Sequence, residues 1–232
     1  MIKKNTALLI LAFVISFLSN SCSSSSSDKS ELNGLKDTPQ KEKSEISIGN
    51  QVWMMKNLDV SKFRNGDPIP QVKSDEEWKK NIKSKQPAWC YYENDSLNGA
   101  KYGKLYNFYA VNDARGIAPM GWHVPTADEW NSLATYLGGR ESAGKKLKAS
   151  SEWKDQKNGS NESGFSGLPG GARNSLGPFY GIGETAAWWS STTLNESNPE
   201  ARCQIVTTYY GDLILESSDY KQAGYSVRCI KD

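Results

Sequence analysis

The chain has 232 residues with 28 lysines and arginines, 26 aspartates and glutamates and one histidine, which gives a formal net charge of +2 at pH 7. The chain therefore lacks the excess of basic residues that would bind a phosphate backbone, and we do not expect nucleic acid as a partner. The length allows one domain with a sizeable core, and 8 Trp, 11 Tyr and 20 Gly residues favour short strands and turns over a helical bundle.

The first 22 residues have the pattern of an export signal that ends at a cysteine. Lys3 and Lys4 precede an apolar run over residues 6–18, which is shorter than a membrane-spanning helix, and small residues then lead to Cys22. The segment resembles a bacterial lipoprotein signal peptide with a loose lipobox. This resemblance implies cleavage after residue 21 and attachment of lipid to Cys22, while a secretory signal with an incidental cysteine is the alternative.

A polar segment follows the cysteine. Removal of the first 21 residues, which include Lys3, Lys4 and no acidic residue, leaves 26 basic against 26 acidic residues. Residues 22–44 contain five consecutive serines and no aromatic residue, so they cannot bury enough apolar surface to offset their ordering entropy. We expect a flexible Ser-rich tether with a reach of about 25 Å. Residues 45–232 are expected to form the folded domain.

Turn and capping signals predict the elements of the first half of this domain. Gly-Asn at 49–50, between two strand-like runs, predicts a hairpin over residues 46–54. Ser74 and Glu77 form a capping box that begins a short helix ending near Lys83. Apolar and amide residues at positions 105, 108, 109 and 112 have helical spacing and predict a helix over residues 103–115.

The stretch GWHVPTADEW, residues 121–130, contains the only histidine. Thr126 and Glu129 form a second capping box, and apolar residues at positions 130, 133, 134 and 137 continue as one helix face that ends at a glycine pair. No nucleophile motif and no metal ligands at diagnostic spacing accompany His123. We therefore interpret this histidine as a partly buried, hydrogen-bonded residue at a helix entrance.

The second half of the domain is predicted to consist of loops followed by an antiparallel meander of strands. Frequent glycines make residues 150–183 loop-rich, with a strand near 168–173. Strands are predicted at 201–208, 212–217 and 225–231, with a hairpin turn at 210–212. In the last strand, Tyr225, Val227 and Cys229 share one face, and Arg228 lies on the other.

Four motifs identify a family resemblance. The segments YGKLYN (102–107), GWHVPT (121–126), WSST (189–192) and GYSVRCIKD (224–232) resemble the Fibrobacter succinogenes major paralogous domain, in that family's order. The similarity covers residues 46–232. The family is common in lipoproteins and surface proteins of Bacteroidetes-type bacteria, so the resemblance implies a cell-envelope location. It implies no activity, because the family has no established one.

A more distant likeness concerns the fold. The segments VPTADEW (124–130), LPGGA (168–172) and GYSVR (224–228) are similar to formylglycine-generating, sulfatase-modifying domains, whose fold is related to C-type lectins. The resemblance implies an α+β domain with two main helices on small, irregular antiparallel sheets. Those enzymes use a pair of active-site cysteines and copper. Because no suitably spaced pair is present here, no catalytic residue, cofactor or metal is expected.

The remaining cysteines and the lectin likeness raise two further questions. An exported compartment permits one disulfide among Cys90, Cys203 and Cys229. Family-like motifs around Cys90 and Cys229 favour that pair, Cys203–Cys229 is the rival, and the absence of any bridge stays open. The calcium motifs of sugar-binding C-type lectins are missing, and Asn-Pro-Glu at 198–200 is interpreted as a surface turn.

Binding is the function class that these exclusions favour. Aromatic, amide and carboxylate side chains are interleaved late in the chain, and flat rings contribute contact area at low entropic cost. Adjacent tryptophans in a strand face opposite ways, so at least one of that pair is expected in the core. The predicted site for a glycan or protein ligand comprises Trp188, Trp189, Asn195, Tyr209, Tyr210, Asp212 and Tyr220.

The sequence thus predicts an outer-membrane lipoprotein of the cell envelope, anchored through lipid at Cys22, with a non-catalytic binding domain. Whether the domain faces the periplasm or the cell surface is left open. Two alternatives remain: a degenerate enzyme of the formylglycine-generating fold that acts on envelope components, and a structural subunit of a surface assembly.

Overall fold

The computed structural model describes residues 44–195 and 197–232, without the side chains of residues 81 and 82. The predicted signal peptide, the lipidation site at Cys22 and the tether up to residue 43 lie outside the described residues. Residues 42–232 form one compact unit, a mixed α/β domain with few helices, two small sheets and a curled five-stranded sheet. In the described part of the chain, no helix has the length and apolar character needed to cross a membrane.

The helices are short and the strands are scattered along the chain. The α-helices are α1 (Asp75–Ser84), α2 (Ser96–Tyr102), α3 (Phe108–Val111), α4 (Ala127–Tyr136) and α5 (Arg140–Leu147). The strands are β1 (Glu45–Ile48), β2 (Gln51–Met54), β3 (Trp89–Cys90), β4 (Leu105–Tyr106), β5 (Trp122–His123), β6 (Gly170–Arg173), β7 (Phe179–Ile182), β8 (Thr185–Thr193), β9 (Glu200–Thr207), β10 (Ile214–Tyr220) and β11 (Ile230–Lys231).

Three sheets organise these strands. The orders are β1-β2-β11-β5, β10-β9-β8-β6-β7 and β3-β4. Strands β6 and β8 run parallel where Gly171 meets Ala186, so the prediction of purely antiparallel sheets is wrong at this position. The β8–β9 and β9–β10 ladders are the longest among the described strands.

Elements with strong local signals are confirmed. The hairpin β1–β2 turns at Gly49-Asn50, and Gly49 takes the positive φ of 62° that such a turn needs. Helix α1 begins after Ser74, whose hydroxyl accepts from the Glu77 N–H at 3.1 Å. Helix α4 has both halves of the predicted Thr126–Glu129 capping box. Helices α2 and α5 were not predicted, so the described domain has more helices than the two main ones expected.

The helix predicted over residues 103–115 is wrong. Residues Leu105 and Tyr106 instead form β4, which pairs with β3, and only the four residues of α3 are helical. The cause is Asn107, whose buried side-chain oxygen accepts from the Ala88 and Ala110 N–H groups, both at 3.0 Å. This amide ends the strand and caps α3, because asparagine readily replaces backbone partners at a helix start.

The terminal segment, residues 224–231, runs through the centre of the fold. Its backbone exchanges hydrogen bonds with Arg173 and Tyr106, and the carbonyls of Val227 and Cys229 accept from Leu58 and Met54. Only β11 is regular strand, so the prediction of a strand over 225–231 is correct for its last residues alone. The predicted alternation is confirmed: Tyr225, Val227 and Cys229 pack in one core cluster and Ile230 in a second.

Strand β8 also separates these two cores. Trp189 lies in the first cluster and Trp188 in the second, and both are at most 1% exposed. Both indole nitrogens donate hydrogen bonds, Trp188 to the Asn57 side-chain oxygen at 2.9 Å and Trp189 to the Tyr106 carbonyl at 2.8 Å. Buried indoles are stable in a core when their N–H groups find such acceptors.

A buried cation, Arg228, joins the terminal segment to its surroundings. Its Nε and Nη2 donate to the Asn57 side-chain oxygen at 2.9 and 2.8 Å, and Nη1 donates to the Phe165 carbonyl. The guanidinium also stacks over the Phe165 ring at 4.3 Å. Complete burial lowers the pKa of Arg228 to about 9, so the side chain keeps its charge at neutral pH and depends on these acceptors.

We predict that Asn57→Ala lowers the free energy of unfolding by about 3 kcal/mol or more, because it leaves a buried guanidinium and the Trp188 indole without their shared acceptor. Urea denaturation followed by tryptophan fluorescence measures this change. Asn65→Ala, which removes an exposed turn amide, is the matched control and should cost less than about 1 kcal/mol. Equal midpoints for the wild type and Asn57→Ala would contradict the role of Asn57.

Candidate functional site

The predicted ligand residues do not form one site, because they lie at opposite ends of the β9–β10 hairpin. Tyr209, Tyr210 and Asp212 lie in the loop that joins the two strands, whereas Tyr220 ends β10 opposite Glu200. The ladder between these ends has seven residue pairs, a separation of roughly 20 Å at the usual rise of a strand. Asn195 lies in the β8–β9 loop, at the Tyr220 end.

The two tryptophans are excluded from any surface site. Trp188 is 1% exposed and Trp189 is 0% exposed, so the prediction that they contact a ligand is wrong. The physical reason is that β8 has a core on each face, which buries both members of an alternating pair. The expectation that at least one of them lies in the core is confirmed.

The loop between β9 and β10 carries exposed tyrosines that make few contacts with the core. Tyr209 is 74% exposed and Tyr210 is 59% exposed. The Tyr209 hydroxyl donates to Glu184 at 2.9 Å, and Lys154 pairs with the same carboxylate at 3.0 Å. Hydrogen bonds from Lys154 and Tyr209 lower the pKa of Glu184. The side chains of this loop therefore form an exposed surface and do not enclose a cavity.

The opposite end of the hairpin borders a groove of about 1090 Å³. Its walls come from six segments: residues 85–87 before β3, residues 108–114 around α3, Ser175 and Leu176 after β6, the end of β8, residues 197–199, and residues 220–222. We call this cavity the groove. Its volume is at the upper end of the range for small-molecule sites, and it is partly open to solvent.

A bulge in β8 shapes one wall of the groove. The β8–β9 register shifts between Trp189 and Thr193, and the Ser191 N–H donates to the Pro125 carbonyl at 2.8 Å instead of to β9. The Thr192 hydroxyl accepts from the Ala127 N–H at 2.9 Å. Bulges redirect side chains next to sites, and this one is held by the entrance of α4. The motif around His123 thus supports the groove wall from behind.

Two tyrosines provide the aromatic surface of the groove. Tyr109 is held in place by Gln222, which is 5% exposed and donates to the Tyr109 hydroxyl at 3.0 Å. Tyr220 is 49% exposed at the end of β10. A ring fixed by a buried amide loses little entropy when a ligand packs against it, so Tyr109 is preorganised for contact.

The loop beside Tyr220 is a turn stabilised by asparagines. The Asn195 side-chain oxygen accepts from the Asn198 N–H at 2.7 Å and from the Ser197 hydroxyl at 2.9 Å. The Asn198 side-chain oxygen accepts from the Glu200 N–H at 2.8 Å. The interpretation of Asn-Pro-Glu as a surface turn is confirmed, and the amide oxygen of Asn195 is already engaged in shaping it.

The charges along the groove do not form a catalytic arrangement. Asp113 is the one carboxylate among the described lining residues, and both its oxygens accept from Arg115 at 2.8 Å. These hydrogen bonds lower the pKa of Asp113, so this group is a poor proton acceptor. Among the residues that the structure describes, no three His, Cys, Asp or Glu side chains come together as metal ligands.

The three cysteines that the structure describes are free thiols in the interior. Cys90, Cys203 and Cys229 are all buried and unpaired, so the structure contains neither the favoured Cys90–Cys229 disulfide nor its rival. Cys90 packs in a cluster around Trp78, whereas Cys203 and Cys229 belong to the core of Trp189. Burial raises the pKa of each thiol to about 12, which makes them unreactive packing residues.

His123 lies outside the groove and joins two carboxylates. Its Nε2 lies 2.8 Å from Glu129 and its Nδ1 lies 2.8 Å from Asp232. Burial lowers the pKa of His123, but the hydrogen bonds to both carboxylates outweigh it and leave the pKa raised. The interpretation of His123 as a hydrogen-bonded residue at a helix entrance is confirmed, because Glu129 also caps α4.

Sequence reasoning missed most of the groove. Tyr109, Asn112 and Gln222 were not in the predicted site, and of its members only Tyr220 lines the groove. No short motif links the six segments, which meet through contacts between residues far apart in the sequence, such as the hydrogen bonds of the Lys221 backbone with Phe108 and Pro199. The proximity of Gln222 to Tyr220 in sequence was the one local signal.

The chain is similar to known proteins at the level of a family. The family model of the Fibrobacter succinogenes major domain matches residues 46–231. The chain belongs to this family. The match spans all three core clusters and every described residue of the groove. No curated protein and no solved structure matches the chain.

The family motif around His123 leads to a pH prediction. Because the pKa of His123 is raised above 6.5, its contribution to stability is complete below about pH 6.5 and is lost as the pH rises through the folded-state value. The difference in unfolding free energy between the wild type and His123→Gln should therefore shrink between about pH 6 and pH 9. Urea titrations at several pH values measure it, and a difference that grows with pH would contradict the assignment.

Proposed function

We propose that the protein is a lipid-anchored protein of the cell envelope whose folded domain binds a ligand in the groove without transforming it. The groove of about 1090 Å³ is the observation that carries the binding role. It combines preorganised aromatic and amide side chains with a carboxylate that is already neutralised by Arg115. Such a lining suits recognition of a ligand, and its one carboxylate is a poor general base because Arg115 holds it.

The anchor follows from Cys22 at the end of the export signal. Lipid on this cysteine, followed by the polar residues 23–44, would hold the domain about 25 Å from a membrane. Anchoring in the outer membrane places the groove where envelope polysaccharides and proteins are its accessible partners. Incorporation of labelled palmitate by the wild type but not by Cys22→Ser tests this part of the proposal.

The architecture is compatible with the distant likeness to C-type lectins and formylglycine-generating domains. We propose this relationship from the shared segments around residues 124–130 and 224–228, where the α4 entrance and the terminal segment organise the domain. An enzyme of this type would need reactive cysteines. The three described thiols are buried with raised pKa values, which favours binding over catalysis.

An assembly role is the second candidate function, and the exposed loop between β9 and β10 favours it. Tyr209 and Tyr210 have the exposure and chemistry of residues that enter protein interfaces. This surface lies at the far end of the hairpin from the groove, so the two roles can be separated by mutation.

We predict that Asn112→Trp, which places a bulky ring at the exposed end of α3 in the groove, weakens binding to isolated cell-envelope material at least about tenfold. A pull-down with the chain from residue 23 measures it. Tyr210→Trp, in the far loop, is the control and should bind like the wild type. Loss of binding in the control alone would favour the assembly role over the groove.

A further inference from the structure

We infer that the ligand of the groove is an uncharged oligosaccharide, a chain of hydroxyl-bearing sugar rings. This inference rests on the proposed function, since it names the chemistry that the groove recognises. Three features support it. They are the hydrogen-bonding groups of the walls, the placement of the two tyrosines, and a described lining that lacks the groups needed to hold either an anion or an extended peptide.

Uncharged polar groups dominate the hydrogen-bonding capacity of the groove. Seven of its 17 described lining residues are Ser, Thr, Asn or Gln, and only three are charged. A sugar hydroxyl both donates and accepts, and hydroxyl and amide side chains do the same. The β8 bulge places Ser191 and Thr193 on one wall, while Asn112 lines the groove from the end of α3.

The tyrosines supply the apolar surface that a sugar ring requires. Tyr109 is fixed through its hydroxyl by Gln222, and the ring of Tyr220 is half exposed at the end of β10. The C–H face of a sugar packs on a flat aromatic ring, while its hydroxyls point sideways to the walls. A fixed ring and an exposed ring in a groove of about 1090 Å³ suit a ligand of several linked sugars.

An anionic ligand lacks its usual partner here. No arginine occurs among the described lining residues of the groove, although the planar guanidinium is the side chain that binds carboxylate and phosphate in a bidentate manner. The nearby Arg115 is committed to Asp113 and Asp67 and stacks over Phe63 at 4.0 Å. The charged lining residues are Lys85, Lys221 and Asp113, two cations and one anion, so the charge along the described lining is of mixed sign.

An extended peptide also lacks a template. Peptides that bind sheets add a strand to an exposed edge, and the edges of the five-stranded sheet are β10 and β7. From these two strands, only Tyr220, the last residue of β10, lines the groove. The remaining wall consists of loops, a helix end and a bulge, whose side chains suit hydroxyl groups better than a peptide backbone.

The test is isothermal titration of the chain from residue 23, which retains both cores, with uncharged and charged probes. The uncharged probes are oligosaccharides of mannan, xylan and β-glucan, and the charged probe is oligogalacturonate; a mixed peptide library is added as competitor. We expect an uncharged oligosaccharide to bind with an affinity that stays within about twofold between roughly 0.05 and 0.5 M salt, because no charge pairs are screened.

Matched variants place this binding in the groove. Tyr220→Ala should weaken it at least about tenfold, as loss of an aromatic anchor does, and Tyr109→Phe should weaken it less because the ring remains. Tyr210→Ala removes a tyrosine of similar exposure in the far loop and should leave the affinity unchanged. Circular dichroism of each variant verifies that the fold is intact.

Three results would overturn the inference. Preference for oligogalacturonate with a steep salt dependence, or displacement by the peptides, would show that the groove takes another ligand, and the proposed binding function would survive. Binding that is lost in Tyr210→Ala but retained in Tyr220→Ala would move the site to the far loop. If no oligosaccharide binds, and Asn112→Trp leaves binding to cell-envelope material unchanged, then both the inference and the assignment of the groove as the functional site are wrong.

Discussion

The fold depends on a cation buried without an anion. Among the ion pairs of the described residues none includes Arg228, and its guanidinium is held by the Asn57 side chain and the Phe165 carbonyl. Neutral oxygens compensate a buried charge only if all of them are in place. The terminal segment, the chain after β2 and the loop at Phe165 must therefore be positioned together, which ties distant parts of the sequence into one cooperative unit.

The groove is a consequence of this arrangement. Once Arg228 fixes the terminal segment, Ser226 exchanges backbone hydrogen bonds with Ala187 and Trp189 and sets the course of β8 between the two cores. The strand then leaves the ladder at its bulge, where Pro125 and Ala127 of the α4 entrance replace β9 as partners. The side chains beyond the bulge are free to line a cavity because the backbone there is already satisfied.

The parts of the fold that were predicted from sequence are those determined by local chemistry. The Thr126–Glu129 capping box, the Ser74 cap of α1, the Gly49-Asn50 hairpin and the alternation of Tyr225, Val227 and Cys229 depend on neighbours within a few residues. The failures have a non-local cause: Asn107 ends a strand through a contact with Ala88, 19 residues away. The burial of Trp188 could not be predicted either, because alternation in sequence does not reveal that both faces of β8 meet a core.

The candidate site shows the same division between local and non-local information. Interleaved aromatic and amide residues indicated the β9–β10 region, one end of which borders the groove, but they gave no means of deciding which end of the hairpin holds a cavity. Tyr209 and Tyr220 are similar in sequence context, but of these two residues only Tyr220 lines the groove. The two tyrosines differ because of how the β8 bulge and α3 pack. A pattern of residues along the sequence does not contain this information.

The most direct measurement is amide hydrogen exchange with and without a saturating oligosaccharide. The account predicts slower exchange in residues 108–114, 191–193, 197–199 and 220–222, which belong to the groove walls, and unchanged exchange in residues 208–213 at the far end of the hairpin. Protection confined to residues 208–213, with the groove segments unaffected, would contradict it.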